Sequence, residues 1–153
     1  MTVSHSPANS AKRAPKTSDV EIRAAIDDLT AALGIDPRAE RAAPRIMADE
    51  LPELLKDFTR EEIEGIVAPK RTLARRASRN QALTAGEIDR ALRLARIRLQ
   101  ALRTFGSPEK ADRWLRKPTA AFSDQAPMKL LQTETGAQQV QELLVQIAHG
   151  IFI

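Results

Sequence analysis

The sequence predicts an all-α fold, and three features of its 153 residues support this prediction. Apolar side chains recur at helical spacings of three and four residues, and no segment shows a convincing strand-like alternation of apolar and polar residues. Ser, Thr or Asp precedes several of these segments at the position of a helix N-cap. Prolines and glycines then separate the segments. We therefore predict a helical N-terminal domain with a helix-turn-helix outline, followed by a small helical C-terminal domain.

The N-terminal third of the chain divides into a tail and two predicted helices. Residues 1–17 are rich in Ser, Ala, Pro and Lys, which predicts a disordered tail. A capping box at Ser18–Glu21 opens a helix that ends at Gly34. Asp36-Pro37 begins a second helix with a bend or break at Pro44, and a short amphipathic stretch follows at 51–58. The apolar residues of the first helix are Val20, Ile22, Ile26, Leu29 and Leu33.

Two short helices around a tight turn give the helix-turn-helix outline at about residues 59–80. Thr59–Glu62 is a capping box that opens the first of them, and Ala68-Pro69 ends it, because the residue before a proline avoids the helical region. The second spans Lys70 to Arg79. Its Leu73 and Ala77 are predicted to face inward, and the residues predicted to face solvent are Arg71, Arg75, Arg76 and Arg79.

The C-terminal half contains one long and three shorter predicted helices. The long helix is capped by Thr84–Glu87 and runs to about Thr104. Ser107-Pro108 starts the next helix, Ala126-Pro127 starts a short one, and Thr135–Gln138 caps a last helix that ends at Gly150. The apolar stripe of the long helix is Ile88, Leu92, Ala95, Leu99 and Leu102. We expect the N-terminal helical domain to span residues 18–98 and the C-terminal domain, with its tail, residues 99–153.

Charge is unevenly distributed along the chain. Residues 1–69 carry 9 basic and 13 acidic side chains, residues 70–103 carry 10 and 2, and residues 104–153 carry 5 of each. The middle segment, at +8, therefore exceeds the net charge of +4. It indicates an anionic partner such as DNA, or equally a solvated basic helix face. The candidate DNA-binding residues are Lys70, Arg71, Thr72, Arg75, Arg76 and Arg79.

Catalytic and metal-binding motifs are not found. There is no cysteine, and the histidines are His5 in the tail and His149 near the last helix end. No phosphate loop, dinucleotide-binding motif or nucleophile elbow occurs, so we expect no enzyme activity, cofactor or metal. No apolar run reaches the roughly 18 residues of a membrane span, and no secretory signal is seen. These features predict a cytoplasmic protein without a membrane partner.

Two kinds of binding remain, to DNA and to another protein. The candidate for protein binding is the apolar tail, where Phe152 lies between Ile151 and Ile153 beyond the Gly150 stop. An apolar tail is poorly accommodated in water, so it either packs back onto its own helices or docks into a partner.

An ordered series of motifs resembles the Xre/MbcA/ParS antitoxin family of type II toxin–antitoxin modules, whose toxins carry a RES domain. The resemblance covers about residues 57–151. The matching motifs are Lys70–Arg76, Leu83–Arg96, Phe105–Ser107, Lys110-Ala111, Trp114-Leu115 before Pro118, Ala126–Leu131, Thr133–Gly136, Val140 and Leu144–Gly150. The chain departs from the family before Pro127, where a Leu-Gly-Gly-like turn is replaced by Phe122–Ala126.

The resemblance implies a helix-turn-helix region followed by a toxin-binding domain. RES toxins degrade NAD or transfer ADP-ribose, and the antitoxin blocks their NAD cleft, while many members also repress their own operon. A homodimer on operator DNA and a hetero-oligomer with the toxin are further expectations. The candidate toxin-binding residues are Arg113, Trp114, Arg116, Lys117, Ile151, Phe152 and Ile153. The alternative interpretation is a stand-alone helix-turn-helix transcriptional regulator whose C-terminal domain only dimerises.

Overall fold

The computed structural model describes residues 45–151, together with Ala24, Asp27 and Ala31, which are helical and exposed. The other predictions for residues 1–44 lie outside the described residues, as do those for Phe152 and Ile153. Residues 45–151 form seven α-helices, one 3-10 helix and no extended strand, which confirms the all-α prediction. Helices α1 to α7 span Leu51–Leu54, Arg60–Ile66, Lys70–Ser78, Ala85–Phe105, Pro108–Arg116, Pro127–Leu130 and Glu134–Ala148, and the 3-10 helix spans Ala120–Phe122.

Both capping boxes of the central region form as predicted. The Thr59 and Thr84 hydroxyl oxygens accept hydrogen bonds from the amides of Glu62 and Glu87. In return, the Glu62 carboxylate accepts from the Thr59 amide at 2.9 Å, and the Glu87 carboxylate from the Thr84 amide at 2.8 Å. These local bonds fix the starts of α2 and α4, because they satisfy amides that have no partner within the helix. Helices α2 and α3 thus occupy the predicted helix-turn-helix positions.

The start of the last helix differs from the prediction. Its N-cap is Thr133 and not Thr135, and the Thr133 hydroxyl accepts from the Gly136 amide at 3.0 Å. Gly136 lies so close to the Leu130 carbonyl that a Cβ atom at this position would overlap it. With this start, Gly136 is the third residue of α7 and lies beside the end of α6, with which α7 is in contact.

Helix α4 is the centre of the packing and contacts α2, α5 and α7. Because its neighbours lie on several sides, its buried surface is wider than the predicted stripe. Leu94, Ala91 and Ala101 are fully buried, whereas Leu92 and Leu99 of the predicted stripe are only half-buried. Burying a leucine side chain of this kind contributes roughly 1.5–3 kcal/mol.

One hydrophobic cluster extends through the described chain. It includes Ile46 and Leu51 before the helix-turn-helix, residues of α4, and Leu115 and Leu144 in the C-terminal helices. Helix α4 runs without a break through residue 98, at which the sequence predicts a domain boundary. The segment before α1 is hydrogen-bonded to the segment between α3 and α4. The Leu83 amide donates to the Ile46 carbonyl at 2.8 Å.

Candidate functional site

Four exposed cations lie on or beside α3. None of the residues of this helix is fully buried, and it packs inward through the half-buried Leu73 and Ala77, as predicted. The exposed cations, which we call the α3 basic surface, are Lys70, Arg71, Arg75 and Arg79. Thr72, the uncharged candidate for DNA contact, is half-buried in the first turn. This surface has the charge and the exposure that contact with phosphates requires.

The prediction that Arg76 faces solvent is wrong. Its Nε atom lies 3.1 and 3.2 Å from the two carboxylate oxygens of Glu87, and its side chain is 20% exposed. Burial of Glu87 acts to raise its pKa, but the hydrogen bond from the Thr84 amide and the charge of Arg76 outweigh burial and lower the pKa. Arg76 therefore joins α3 to the capping box of α4 and adds little to the α3 basic surface.

Three further arginines of the +8 segment are also engaged within the protein. Arg90 donates from Nε to the Val67 carbonyl at the end of α2, at 2.7 Å. Arg93 lies 2.5 Å from the Glu134 carboxylate in the first turn of α7. Arg98 is buried. The charge of this segment thus overstates its basic surface, because four of its cations serve internal contacts.

Arg98 connects three parts of the chain. Its guanidinium lies 3.0 Å from the Asp57 carboxylate before α2, and 2.9 and 3.2 Å from the two carboxylate oxygens of Asp112 on α5. Its side chain is only 9% exposed. A buried cation needs such partners, since an unpaired charge in the interior is strongly destabilising. Arg98 therefore holds α4, α5 and the segment before α2 together.

Arg116, a candidate for toxin contact, is held by the first helix of the helix-turn-helix. Its Nε and Nη2 atoms donate to the two carboxylate oxygens of Glu62 at 2.7 and 2.9 Å, and Nη2 also donates to the Asp57 carbonyl at 3.2 Å. Burial of Glu62 acts to raise its pKa, but the bonds from Arg116 and the Thr59 amide outweigh burial and lower it. The same pairing raises the pKa of Arg116.

The other candidates on and beside α5 differ in exposure. Arg113 and Lys117 are exposed, whereas Trp114 is half-buried and packs against Phe105 with ring centroids 5.5 Å apart. Trp114 thus belongs to the edge of the core. The structure brings the paired Arg116 and the two exposed cations to one end of α5, with Trp114 beside them in sequence.

The last helix carries exposed apolar side chains. Within residues 45–151, Val145 and Ile151 are the large hydrophobic residues that remain exposed, at 42% and 56%. Around Val145 lies a shallow depression whose other lining residues are Gln138, Gln141, Glu142 and Gln146. We call Val145, Ile151 and these four residues the α7 surface.

The position of Ile151 is fixed by its backbone. Gly150 has a φ of 70°, its amide donates to the Ile147 carbonyl, and the Ile151 amide donates to the Gln146 carbonyl at 2.9 Å. This is a Schellman motif, which satisfies the last carbonyls of the helix. It therefore gives the chain a defined direction as it leaves α7 toward Phe152.

The sequence pointed to Ile151 as a site residue. It did not point to Val145, or to the ion pairs that Glu62 and Arg98 make with other helices. Val145 follows Leu143 and Leu144, and three successive apolar residues cannot all face one side of a helix. That run was a usable signal. The partners of Glu62 and Arg98 had no such signal, since Arg116 is 54 residues from Glu62 and Asp112 is 14 from Arg98.

Neither a metal-binding cluster nor a membrane-spanning helix occurs in the part of the chain that the structure describes. Among residues 45–151 and the three described positions before them, no group of three or more His, Asp or Glu side chains is placed to hold a metal ion. In the same part of the chain, no helix is both long and apolar enough to cross a membrane.

Comparisons with known proteins agree with the resemblance in the motifs. The family model of the antitoxin Xre/MbcA/ParS C-terminal toxin-binding domain matches residues 100–150. Antitoxin Xre of Pseudomonas putida is 40% identical over 133 residues, which cover 87% of this chain and 74% of that relative.

Two further relatives match over shorter spans. Antitoxin Xre of Yersinia enterocolitica is 35% identical over 85 residues, or 55% of this chain and 57% of the relative. Antitoxin Xre of Photorhabdus laumondii is 35% identical over 82 residues, or 53% of this chain and 55% of the relative. The long match to the Pseudomonas protein and the domain match place the chain in one group: it belongs to the antitoxin Xre family.

Proposed function

We propose that this protein is an antitoxin that binds a cognate RES-domain toxin and sterically blocks its NAD-binding active site with the α7 surface and the C-terminal tail. The observation that carries the proposal is the exposure of Val145 and Ile151 within or directly beside the segment that matches a toxin-binding domain. Occlusion of a cleft requires shape and apolar contact rather than a reacting group. Apolar anchors that become fully buried dominate the energy of such interfaces.

The geometry at the end of α7 favours this role. The Schellman motif holds Ile151 in place before any partner binds, so little conformational entropy is lost when it docks. Arg113 and Lys117, which are exposed on and beside α5, are proposed to make polar contacts at the rim, together with Arg116. Trp114 is proposed to stabilise this end of the C-terminal domain by packing its ring against Phe105.

The test of the toxin-binding surface is a pair of substitutions, Val145→Asp with Ile151→Asp. Both side chains are exposed, so the fold should be retained, while a carboxylate placed in an apolar interface costs several kcal/mol. We expect toxin binding to weaken at least 100-fold, with loss of protection in a growth assay that co-expresses the cognate toxin. Deletion of residues 151–153 should weaken protection in the same direction.

The control is Gln139→Asp, which adds one negative charge at another exposed position of α7. It should protect as well as the unchanged protein. Full protection by the double variant and by the truncated protein would show that the α7 surface does not contact the toxin.

We also propose that the protein represses its own operon by binding operator DNA through the α3 basic surface, as a homodimer. The supporting observation is the exposure of Lys70, Arg71, Arg75 and Arg79 around one short helix that follows a tight turn. In helix-turn-helix proteins the second helix lies in the major groove, where arginines bind guanine edges and phosphates. The half-buried Thr72 in the first turn is proposed to contact a phosphate.

The test of DNA binding is Arg71→Ala with Arg75→Ala, measured on the DNA upstream of the gene at several salt concentrations. Each lost phosphate contact should reduce the salt slope of log affinity by about 0.9. Arg103→Ala, an exposed arginine on α4, is the control. Unchanged affinity and slope in the double variant would contradict the assignment.

Retained DNA binding in a protein that never binds a RES toxin would favour the alternative, a transcriptional regulator with a C-terminal dimerisation domain.

A further inference from the structure

An apolar groove lies open between α1, α2 and α3. Its cavity has a volume of about 450 Å³ and is lined by the side chains of Phe58, Ile63, Leu73, Ala74 and Ala77, among others. Leu73 and Ala77, the inward-facing residues of α3, line this groove and are only half-buried. Neither the α3 basic surface nor the α7 surface accounts for it.

The chain itself contains a segment of matching character. Ala24, Asp27 and Ala31 are helical and exposed, and their spacing of three and four residues places them on one helix face. On a helix continuous with these positions, the opposite face carries Ile22, Ile26, Leu29 and Leu33, again at spacings of four, three and four. An amphipathic helix of this kind gains its stability by packing its apolar face against another surface.

Position and charge both favour an intramolecular contact. Ala48 and Asp49 line the groove, so the described chain begins at its rim. Eleven residues separate Leu33 from Arg45, a length of chain that allows a return to this rim. Residues 18–34 carry four acidic side chains and one basic side chain, a net charge of −3. The groove lining carries the cations Lys56, Arg60 and Lys70 and the anions Asp49 and Glu64, a net charge of +1, which is opposite in sign to that of the segment.

We propose that residues 18–34 form a helix whose face of Ile22, Ile26, Leu29 and Leu33 docks in this groove and packs against α3 on the side of Leu73 and Ala77. This contact adds a further helix to the packing around α2 and α3. On this side of them the described chain has only α1, a helix of four residues. It also gives a role to the part of the chain that precedes the helix-turn-helix. The proposal does not depend on toxin binding or on DNA binding.

The test uses the absence of cysteine from the chain. Ala74→Cys places a thiol in the groove, and it is combined in turn with Ile26→Cys or Leu29→Cys on the apolar face and with Ala24→Cys or Ala31→Cys on the exposed face. A short bis-maleimide is then added to the full-length protein, and the products are identified on denaturing gels and by mass spectrometry. We expect a cross-link within one chain at least ten times faster for the apolar-face pairs than for the exposed-face pairs.

Three outcomes would overturn the proposal: equal rates for both faces, no cross-link in any pair, or cross-links only between two chains. The last outcome would instead assign the groove to a second copy of the protein. As an independent measurement, Ile26→Asp with Leu29→Asp should raise hydrogen exchange of the α3 amides at least tenfold. Ala31→Asp, on the exposed face, should leave this exchange unchanged, and unchanged exchange in the double variant would also contradict the proposal.

Discussion

Two glutamates, Glu62 and Glu87, each hold an arginine of another helix. Glu62 and Glu87 each accept from a backbone amide in a capping box and from an arginine on another helix. Each carboxylate therefore combines a local role, starting its helix, with a tertiary role, holding that arginine. Because both pKa values are lowered, the two groups stay ionised in the folded protein at pH values where the unfolded chain begins to take up protons.

The charge of Glu62 is expected to stabilise the protein above the ordinary glutamate pKa of 4.5, and this contribution is lost as pH falls through its lowered value. Glu62→Gln keeps an acceptor for the Thr59 amide but removes the ion pair with Arg116. We expect a loss of about 1–2 kcal/mol at pH 7, measured by urea unfolding. The loss should shrink at acid pH, below the lowered pKa of Glu62, where the natural side chain is also neutral.

The control for this prediction is Glu61→Gln, an exposed glutamate in the same helical turn. It should change stability by less than about 0.5 kcal/mol at either pH. An equal loss at both pH values in Glu62→Gln would show that packing, rather than charge, accounts for the effect.

At the scale of elements, the C-terminal half depends on backbone geometry at a few positions. Helix α7 begins against α6, where Gly136 meets the Leu130 carbonyl. In the loop before α6, Ser123 and Asp124 have φ values of 53° and 59°, which are left-handed conformations. The turn is thus formed without glycine, since Asp tolerates this conformation better than most residues.

Gly136→Ala is expected to destabilise the protein, because the added Cβ meets a backbone carbonyl that cannot move alone. Overpacking of this kind costs about 1–3 kcal/mol, and the displaced start of α7 should also weaken toxin binding. Chemical denaturation of the purified variant measures the first effect, and titration with toxin the second.

Gly65→Ala in α2 provides the comparison. Its added Cβ would meet only the Gln132 side chain, at 3.9 Å, so the change should stabilise the protein by about 0.5–1 kcal/mol through helix propensity. If Gly136→Ala behaved like Gly65→Ala, the close contact between α6 and α7 would be ruled out.

At the scale of the whole molecule, the two proposed binding surfaces rest on one core. The helix that carries the α3 basic surface comes directly after α2 in the chain, and the α7 surface lies on the last helix and directly after it. Helix α4 packs against both α2 and α7. Leu94 of α4 is fully buried within the shared cluster, and Arg98 joins α4 to Asp57 and Asp112 on either side. We therefore expect both surfaces to lose their structure together.

A single unfolding transition is the measurable consequence. Trp114, the one tryptophan, reports on the C-terminal helices, and far-ultraviolet circular dichroism reports on all helices. The two signals should give coincident urea curves. Leu94→Ala should shift both curves equally, by about 2–5 kcal/mol. Separate transitions, or a shift in only one signal, would show two independent domains.

Within residues 45–151 the sequence by itself determined the α-helices and most of their ends, and its motifs indicated the family. Capping boxes, prolines and glycines act over three or four residues, so Thr59, Thr84, Pro127 and Gly150 could be read directly. The start of α7 was the exception, because two threonines compete there and the close packing of Gly136 selects Thr133.

Only the tertiary structure decided which charges and apolar residues are available to a partner. Charge counting gave the whole of residues 70–103 as one basic block, but Arg76, Arg90, Arg93 and Arg98 are engaged by groups brought close only by folding. The exposure of Val145 likewise depends on how α7 packs against α4. Local patterns fix helices because their bonds are local, whereas the free surface depends on contacts between residues far apart in sequence.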